Sequence, residues 1–225
     1  MTVSSDFTQW EKRIPRTPIV DRDDFIVELC RGKRIVHLGA CDAPMSLEKA
    51  ERGELLHQKL GRSAASLHGL DNDRSAIELL RTKFGIVDIE LRDLSIPPTE
   101  LSGDADVVVC ADVIEHVTNT GALLDASRAL LGPKGILVVS TINALSIKQA
   151  LRTLLGREPV HPDHVAYFSY GTLGQLLLRF GFALETCHFF AYPAVHPLSA
   201  AVFSAVYSAW PRSADGLVVV ARRSL

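Results

Sequence analysis

Little in this chain of 225 residues suits a polynucleotide: no dense run of lysine and arginine occurs, and the formal net charge is −2. The basic footprint that phosphate backbones require is missing. Cysteine is scarce as well. Cys30, Cys41, Cys110 and Cys187 are scattered without the close spacing of metal ribbons or redox pairs, so they read as reduced side chains of a cytoplasmic protein. The start, MTVSSDFTQWEKR, lacks the apolar stretch of a secretory leader, and no export is expected. Nor does any segment offer the roughly 20 apolar residues of a spanning helix; Leu198 to Trp210 has about half of them. That segment is expected to be a packed helix, with a substrate lid, a dimer face or a peripheral membrane contact as alternatives. What remains is an ordinary globular balance, 47% hydrophobic and 22% charged, at a length that favours one sizeable core.

The chain is organised around KRIVHLGACDAP, Lys33 to Pro44. A short apolar strand, Ile35 to Leu38, runs straight into a turn of small residues, Gly39, Ala40, Cys41 and Ala43. Small side chains at the end of a parallel strand let backbone amides approach a ligand. Before it, Asp23 to Arg31 carries Phe25, Ile26, Leu29 and Cys30 at helical spacing. After it, the stretch up to Gly61 is good helix material interrupted at Gly53, which predicts one broken helix or two short ones. Ser66 to Asp71 reads as a second strand ending on a carboxylate, placed to accept hydrogen bonds from a ribose. Asp71 lies about 30 residues past Gly39, where the dinucleotide fingerprint has about 20.

Strand and helix then keep alternating. Arg74 to Lys83 is a helix and Ile86 to Leu91 a third strand, followed by Asp93, Leu94 and a loop forced by Pro97 and Pro98. Ala105 to Ala111 is an apolar run fit for mid-sheet, Thr120 to Leu131 a helix stopped by Gly132 and Pro133, and Gly135 to Thr141 a fifth strand. A sixth strand is expected over Ala183 to Phe190 and the last over Gly216 to Ala221. The alternation predicts an α/β fold: a doubly wound, Rossmann-like sheet with its ligands at the carboxyl ends of the strands. Residues 1–22 form a polar arm, either a tail or a substrate lid, and 23–225 a single domain with an apolar insertion near 192–210.

HLGACDA, LHGLDND, Asp93-Leu94, ADVVVCADVIEHV, Gly-Pro-Lys-Gly and HPDHVAYFSYGTLGQLLLRFGF, in that order, resemble the class I S-adenosylmethionine-dependent methyltransferases. Within them the chain is most similar to the branch of the ubiquinone-pathway O-methyltransferases. The resemblance covers about Lys33 to Gly181 and implies seven strands, mostly parallel, with an antiparallel last strand. It implies S-adenosylmethionine as cofactor and S-adenosylhomocysteine as product. It would place His37, Gly39 and Ala40 beside the cofactor tail, Asp71 and Asn72 at the ribose, Asp93 and Leu94 at the adenine, and Ala111 near the methionine portion. There are departures. His37 stands where the family has an acid that helps hold the cofactor's ammonium, and Cys41 and Ala43 replace two glycines of the turn.

DVIEHV admits two readings. In that branch two acids and a histidine are associated with a divalent metal, which Asp112, Glu115 and His116 would match with Asp in place of the first Glu. The favoured reading has these groups capping the next helix and ordering a loop, with no metal assigned. His116, and His164 from the His161-Pro-Asp-His cluster, are the candidate catalytic residues, since an imidazole can take a hydroxyl proton near neutral pH. The expected function is methyl transfer to a small-molecule acceptor, most readily a hydroxyl. A cofactor-binding or regulatory module that has lost catalysis is the alternative. A nucleotide-dependent dehydrogenase is disfavoured because the turn lacks the three-glycine spacing. The apolar connection, with Val202, Phe203, Val206 and Trp210 at helical spacing, is expected to cover the acceptor side and to favour an amphipathic molecule.

Overall fold

The structure is a computed structural model that describes residues 7, 9–96, 103–193 and 197–224. Seven strands form one sheet: β1 (Arg34–Leu38), β2 (Ser66–Asp71), β3 (Ile89–Leu91), β4 (Ala105–Ala111), β5 (Leu131–Ile142), β6 (Phe182–Phe190) and β7 (Gly216–Arg223). Their order across the sheet is β3-β2-β1-β4-β5-β7-β6, parallel as far as β5, with β7 antiparallel to both its neighbours. The chain therefore winds outward from β1 to β3 and then returns to lay β4 on the other side of β1. That reversal opens a crevice at the carboxyl ends of β1 and β4, where doubly wound sheets bind ligands. The register makes the crevice level: Leu38 lies opposite both Leu70 and Cys110, so Gly39, Asp71 and Ala111 follow at one height.

The apolar run of β4 is explained by cover on both faces. Val107 and Val109 point into one layer with Ile35, Val138 and Val218, under α1 (Arg22–Cys30) and α3 (Leu56–Gly61). Val108 and Cys110 point into the other with Leu38, Leu137 and Val219, under α5 (Thr120–Leu130) and α7 (Tyr170–Arg179). The helices start where their caps dictate. Asp21 accepts from Asp24 N at α1, and Asp73 accepts from Ser75 N and Ala76 N at α4 (Arg74–Phe84), which Gly85 ends in the left-handed region at φ +66°. The stretch before Gly61 is two pieces, α2 (Ser46–Arg52) and α3, divided at Gly53 with φ +66°.

Several expectations need correcting. The third strand pairs only over Ile89–Leu91, not from Ile86; it is the sheet edge, and Val87 before it is 70% exposed. Strand pairing at β5 begins at Leu131, directly after α5 ends at Leu130, so Gly132 and Pro133 lie in the strand and not in a loop. An unexpected helix, α6 (Ile147–Leu154), follows β5 with Ser146 as its cap. Pro97 and Pro98 lie outside the described residues. The arm is docked where it is described: Phe7 packs on Tyr170 with ring centroids 5.4 Å apart, and Ile19 bridges Phe189 on the exposed edge of β6. No described helix is long and apolar enough to cross a membrane.

The connection between β6 and β7 holds α8 (Pro197–Ala209). Its inward residues are Phe203, Val206 and Tyr207; Val202 and Trp210 are 53% and 68% exposed. The face assumed from spacing is thus rotated. Tyr207 donates to Asp215 Oδ1 at 2.8 Å, and Lys148 of α6 lies 4.9 Å from the Phe203 ring while pairing with Asp215 at 2.7 Å. An acceptor within reach of a buried phenol turns the helix by more than its apolar count would.

Candidate active site

A cavity of about 600 Å³ opens at the carboxyl ends of β1, β2 and β4. One wall is made of strand ends and their turns. Gly39 takes φ +69°, and a Cβ there would stand 2.3 Å from Val113 Cγ2, so glycine is required both by the turn and by the opposite wall. Ala40 follows, fully buried. Asp71, also buried, ties the turn together: Oδ2 accepts from Cys41 N at 2.8 Å and Oδ1 from Asp73 N at 2.9 Å. Each oxygen keeps a lone pair, which leaves the carboxylate able to receive two hydroxyls. Asp93 accepts from Ser95 N and Oγ, which draws its carboxyl below the usual range.

His37 lines the same wall from the floor, with its Nδ1 3.2 Å from Nδ1 of His57 and the two rings stacked at 5.4 Å. His57 Nε2 in turn lies 3.3 Å from Asp88 Oδ1. Burial, and then the neighbouring ring, push the His37 imidazole well below its ordinary value; burial does the same to His57 against the pull of Asp88. The position where the resemblance implies an acid therefore carries a neutral ring turned toward a second ring.

The facing wall comes from the segment after β4 and the loop between α6 and α7. Asp112 sits at φ +53° and is held from three sides: by the Arg22 guanidinium, by Ser140 Oγ at 2.8 Å and by the Tyr192 hydroxyl at 3.2 Å. Burial opposes the Arg22 charge, but Asp112 and Asp23 outweigh it. The Glu115 side chain is buried beside Thr141, its carboxyl pushed up to about 7 by burial and by Asp112. The Glu115 carbonyl accepts from Val165 N at 2.8 Å and Ala166 N at 3.3 Å, which docks the loop against residue 115. His116, His161 and His164 meet there, with the His116 and His164 rings 4.5 Å apart at the centroids.

All ten residues singled out from the sequence, His37, Gly39, Ala40, Asp71, Asn72, Asp93, Leu94, Ala111, His116 and His164, border this one cavity. Asp112, Glu115 and His116 do not converge as a donor set: one carboxylate is engaged by Arg22, Ser140 and Tyr192, and the other is turned inward. Two contributors escaped the sequence reading. Arg22 reaches the cavity from the first turn of α1, 90 positions before its partner, and His57 of α3 backs His37 without lining the cavity; neither carries a local signal. Among the described residues the insertion meets the site only indirectly: Tyr192 donates to Asp112, and no described residue of the insertion lines the cavity.

The chain matches the methyltransferase domain family over residues 49–186. The ubiquinone biosynthesis O-methyltransferase of Psychrobacter arcticus is 34% identical over 147 residues, which cover 59% of this chain and 56% of that protein. The chain spans about half the length of the curated relatives it matches. Among solved structures, a putative methyltransferase from Bacillus halodurans aligns over 91% of this chain and 99% of its own with a TM-score of 0.63 at 12% identity. The magnesium protoporphyrin IX methyltransferase of Synechocystis, solved with S-adenosylhomocysteine bound, aligns over 90% of this chain and 82% of its own at 0.58 and 15%. At such identities these two speak for the fold alone. With the sheet order, the level crevice at β1 and β4 and the matched domain, the chain belongs to the class I S-adenosylmethionine-dependent methyltransferase family.

Proposed function

We propose that the chain transfers the methyl group of S-adenosylmethionine to an oxygen of a small-molecule acceptor. The observation that carries this is the continuity of the cavity: the strand-end wall and the histidine-bearing wall face each other across one space, within reach of a single bound pair of reactants. The first wall suits the cofactor. Gly39 and Ala40 leave room for the tail, Asp71 keeps free lone pairs for the ribose beside Asn72, Asp93 and Leu94 border the adenine, and Ala111 is small enough to let the methionine portion pass. His37 offers the cofactor's ammonium a neutral ring in place of a charge, and Arg22 stands nearby to meet its carboxylate. The sulfonium methyl then points toward the second wall, where His116 and His164 are assigned the activation of the acceptor hydroxyl. Holding nucleophile and methyl in line supplies much of the rate in such a transfer.

The name of the Psychrobacter relative supports oxygen as the target atom. The same chain read as a cofactor-binding module without catalysis is favoured by one observation, the buried His37 in place of an acid. Calorimetry with S-adenosylmethionine, S-adenosylhomocysteine and NAD, followed by labelled methyl transfer to a panel of phenols and sugar hydroxyls, separates them. Cofactor binding with transfer is expected; tight binding without transfer to any oxygen would favour the module, and binding of NAD alone would remove both readings.

A further inference from the structure

The side chains of His116, His161 and His164 present one ring nitrogen each within 4.8 Å of one another, and no other such group of histidine, cysteine, aspartate and glutamate occurs among the described residues. We propose that these three imidazoles hold one divalent transition-metal ion of the zinc type at the acceptor side of the cavity. Four features lead there. First, the two segments that carry the rings are fixed to each other by backbone bonds, Val165 N and Ala166 N to Glu115 O, and the loop is closed on itself by His164 N to His161 O at 3.0 Å. The cluster is thus a consequence of main-chain docking and not of wandering side chains.

Second, two of the three rings have little else to bond, whereas His161 Nδ1 accepts from Asp163 N. His164 Nδ1 is buried without a hydrogen-bond partner among the described residues, and no described side chain or main-chain group bonds the His116 ring. A buried ring nitrogen without a partner is costly, and an ion coordinated in the cluster would supply the missing interaction or order the group that does. Third, the surroundings favour a cation. The Asp163 carboxylate lies 3.7 Å from His161 Nδ1, a nitrogen that accepts from Asp163 N at 3.3 Å, and brings negative charge to the cluster. Asp112 adds negative charge beside His164.

Fourth, the donor set selects the ion. Asp112 and Glu115, the acids beside His116, are engaged by Arg22, Ser140 and Tyr192 or turned inward, so apart from the Asp163 carboxylate the donors that converge are nitrogen. Imidazole suits zinc, nickel and copper; magnesium takes oxygen. Bonds of 2.0–2.1 Å put tetrahedral donors about 3.3 Å apart, so the set must close by at most about 1.5 Å. His116 and His161 are exposed, and rotation about their side-chain bonds covers that distance. Three protein donors leave one position open, and since all three rings border the cavity, an oxygen of the molecule bound there can fill it. Where the reading as an oxygen methyltransferase holds, the acceptor is then one whose hydroxyl meets a metal; ion binding itself stands without that reading.

The test uses the full chain without a histidine tag, stripped with a chelator and titrated with zinc, cobalt(II) and magnesium chlorides in the absence of cofactor. One zinc per chain is expected, with the intense visible bands of tetrahedral cobalt(II) and no response to magnesium. His161→Ala and His116→Gln should each lower zinc affinity at least tenfold. His68→Ala, whose ring pairs with Glu90 away from the cavity, should change nothing. Zinc affinity unchanged in His161→Ala, binding without one-to-one stoichiometry, or magnesium bound as tightly as zinc overturns the proposal. S-adenosylhomocysteine binding measured on the same samples keeps the two readings apart: its loss strikes the methyltransferase reading, and its survival without zinc binding strikes only the metal.

Discussion

The strand-end wall of the cavity and the wall that faces it are built on different terms. On the first, polar side chains are spent on the backbone: Asp71 bonds two amides, Asp73 caps α4, and Asp93 holds Ser95. Their positions are fixed by strand register before any ligand arrives, which is what a cofactor shared by many proteins requires. On the second, the rings of His116, His161 and His164 rest mainly on each other, and Asp112 is held by residues from α1, β5 and the β6–β7 connection. That wall is a meeting of distant segments, free to differ where acceptors differ.

The sharpest way to break the contrast is at Gly39, where the walls touch. Gly39→Ala puts a Cβ against Val113 and a non-glycine residue at φ +69°, so a destabilisation of about 2–5 kcal/mol is expected from strain and overpacking together. Urea unfolding of Gly39→Ala and of Gly39→Ala with Val113→Ala separates them: the double variant should recover the packing part alone. A single variant as stable as the parent would mean that the walls are not in contact. Next in size, Asp71→Ala should weaken S-adenosylmethionine binding by about 1.5–3 kcal/mol, the scale of hydrogen bonds to a charged group. Calorimetry on a folded variant with unchanged affinity would take the ribose away from this carboxylate.

The floor under the first wall predicts a pH effect. His37 faces His57, Arg22 and Asp23, while His57 faces Asp88, His68 and Asp71; burial lowers both rings' affinity for protons. The unfolded chain binds these protons below about pH 6.5 and the folded chain does not, so stability falls as pH falls through that range. The loss approaches about 1.4 kcal/mol per pH unit for each ring that stays neutral. His57→Gln should make the decline between pH 6.5 and 5 shallower, by urea midpoints; an equal slope in both proteins would assign the decline to other groups.

The same contrast decides what the sequence made legible. Strand β4 was readable to the residue because a buried parallel strand is written as an almost continuous apolar run, and β2, half exposed, by its end on the carboxylate of Asp71. The cofactor wall followed, since it consists of the residues next in the chain. The edge strand β3 was overread because Ile86 and Val87 have β-branched side chains but no partner strand beyond β2 to hold them. Helix α6 was legible in principle, with Ser146 as cap and Ile147, Leu151 and Leu154 on one face, but it buries none of its residues and so sends no core signal. Arg22 and His57 carry no local pattern at all; one enters the cavity and the other backs His37 because α1 and α3 pack on the layer that ends beneath it.

The smallest expected effect concerns the connection between β6 and β7, which the sequence reading expects over the acceptor and whose described residues line no part of the cavity. Two kinds of residue there behave differently. Tyr192 reaches Asp112 at the cavity wall by its hydroxyl, but Asp112 keeps Arg22 and Ser140 when that bond is lost, so Tyr192→Phe should cost about 0.5–1.5 kcal/mol or less and change transfer only a few-fold. Val202 and Trp210 face away from the inner side of α8 and border no part of the cavity. Val202→Ser and Trp210→Ser should leave stability within about 0.5 kcal/mol and methyl transfer within about twofold. Turnover assays on these three variants order the segment by contact rather than by hydrophobicity. If the Val202 or Trp210 variant loses more transfer than Tyr192→Phe while binding S-adenosylhomocysteine normally, α8 closes over the acceptor during the reaction, and the second wall extends farther along the chain than the cavity alone marks out.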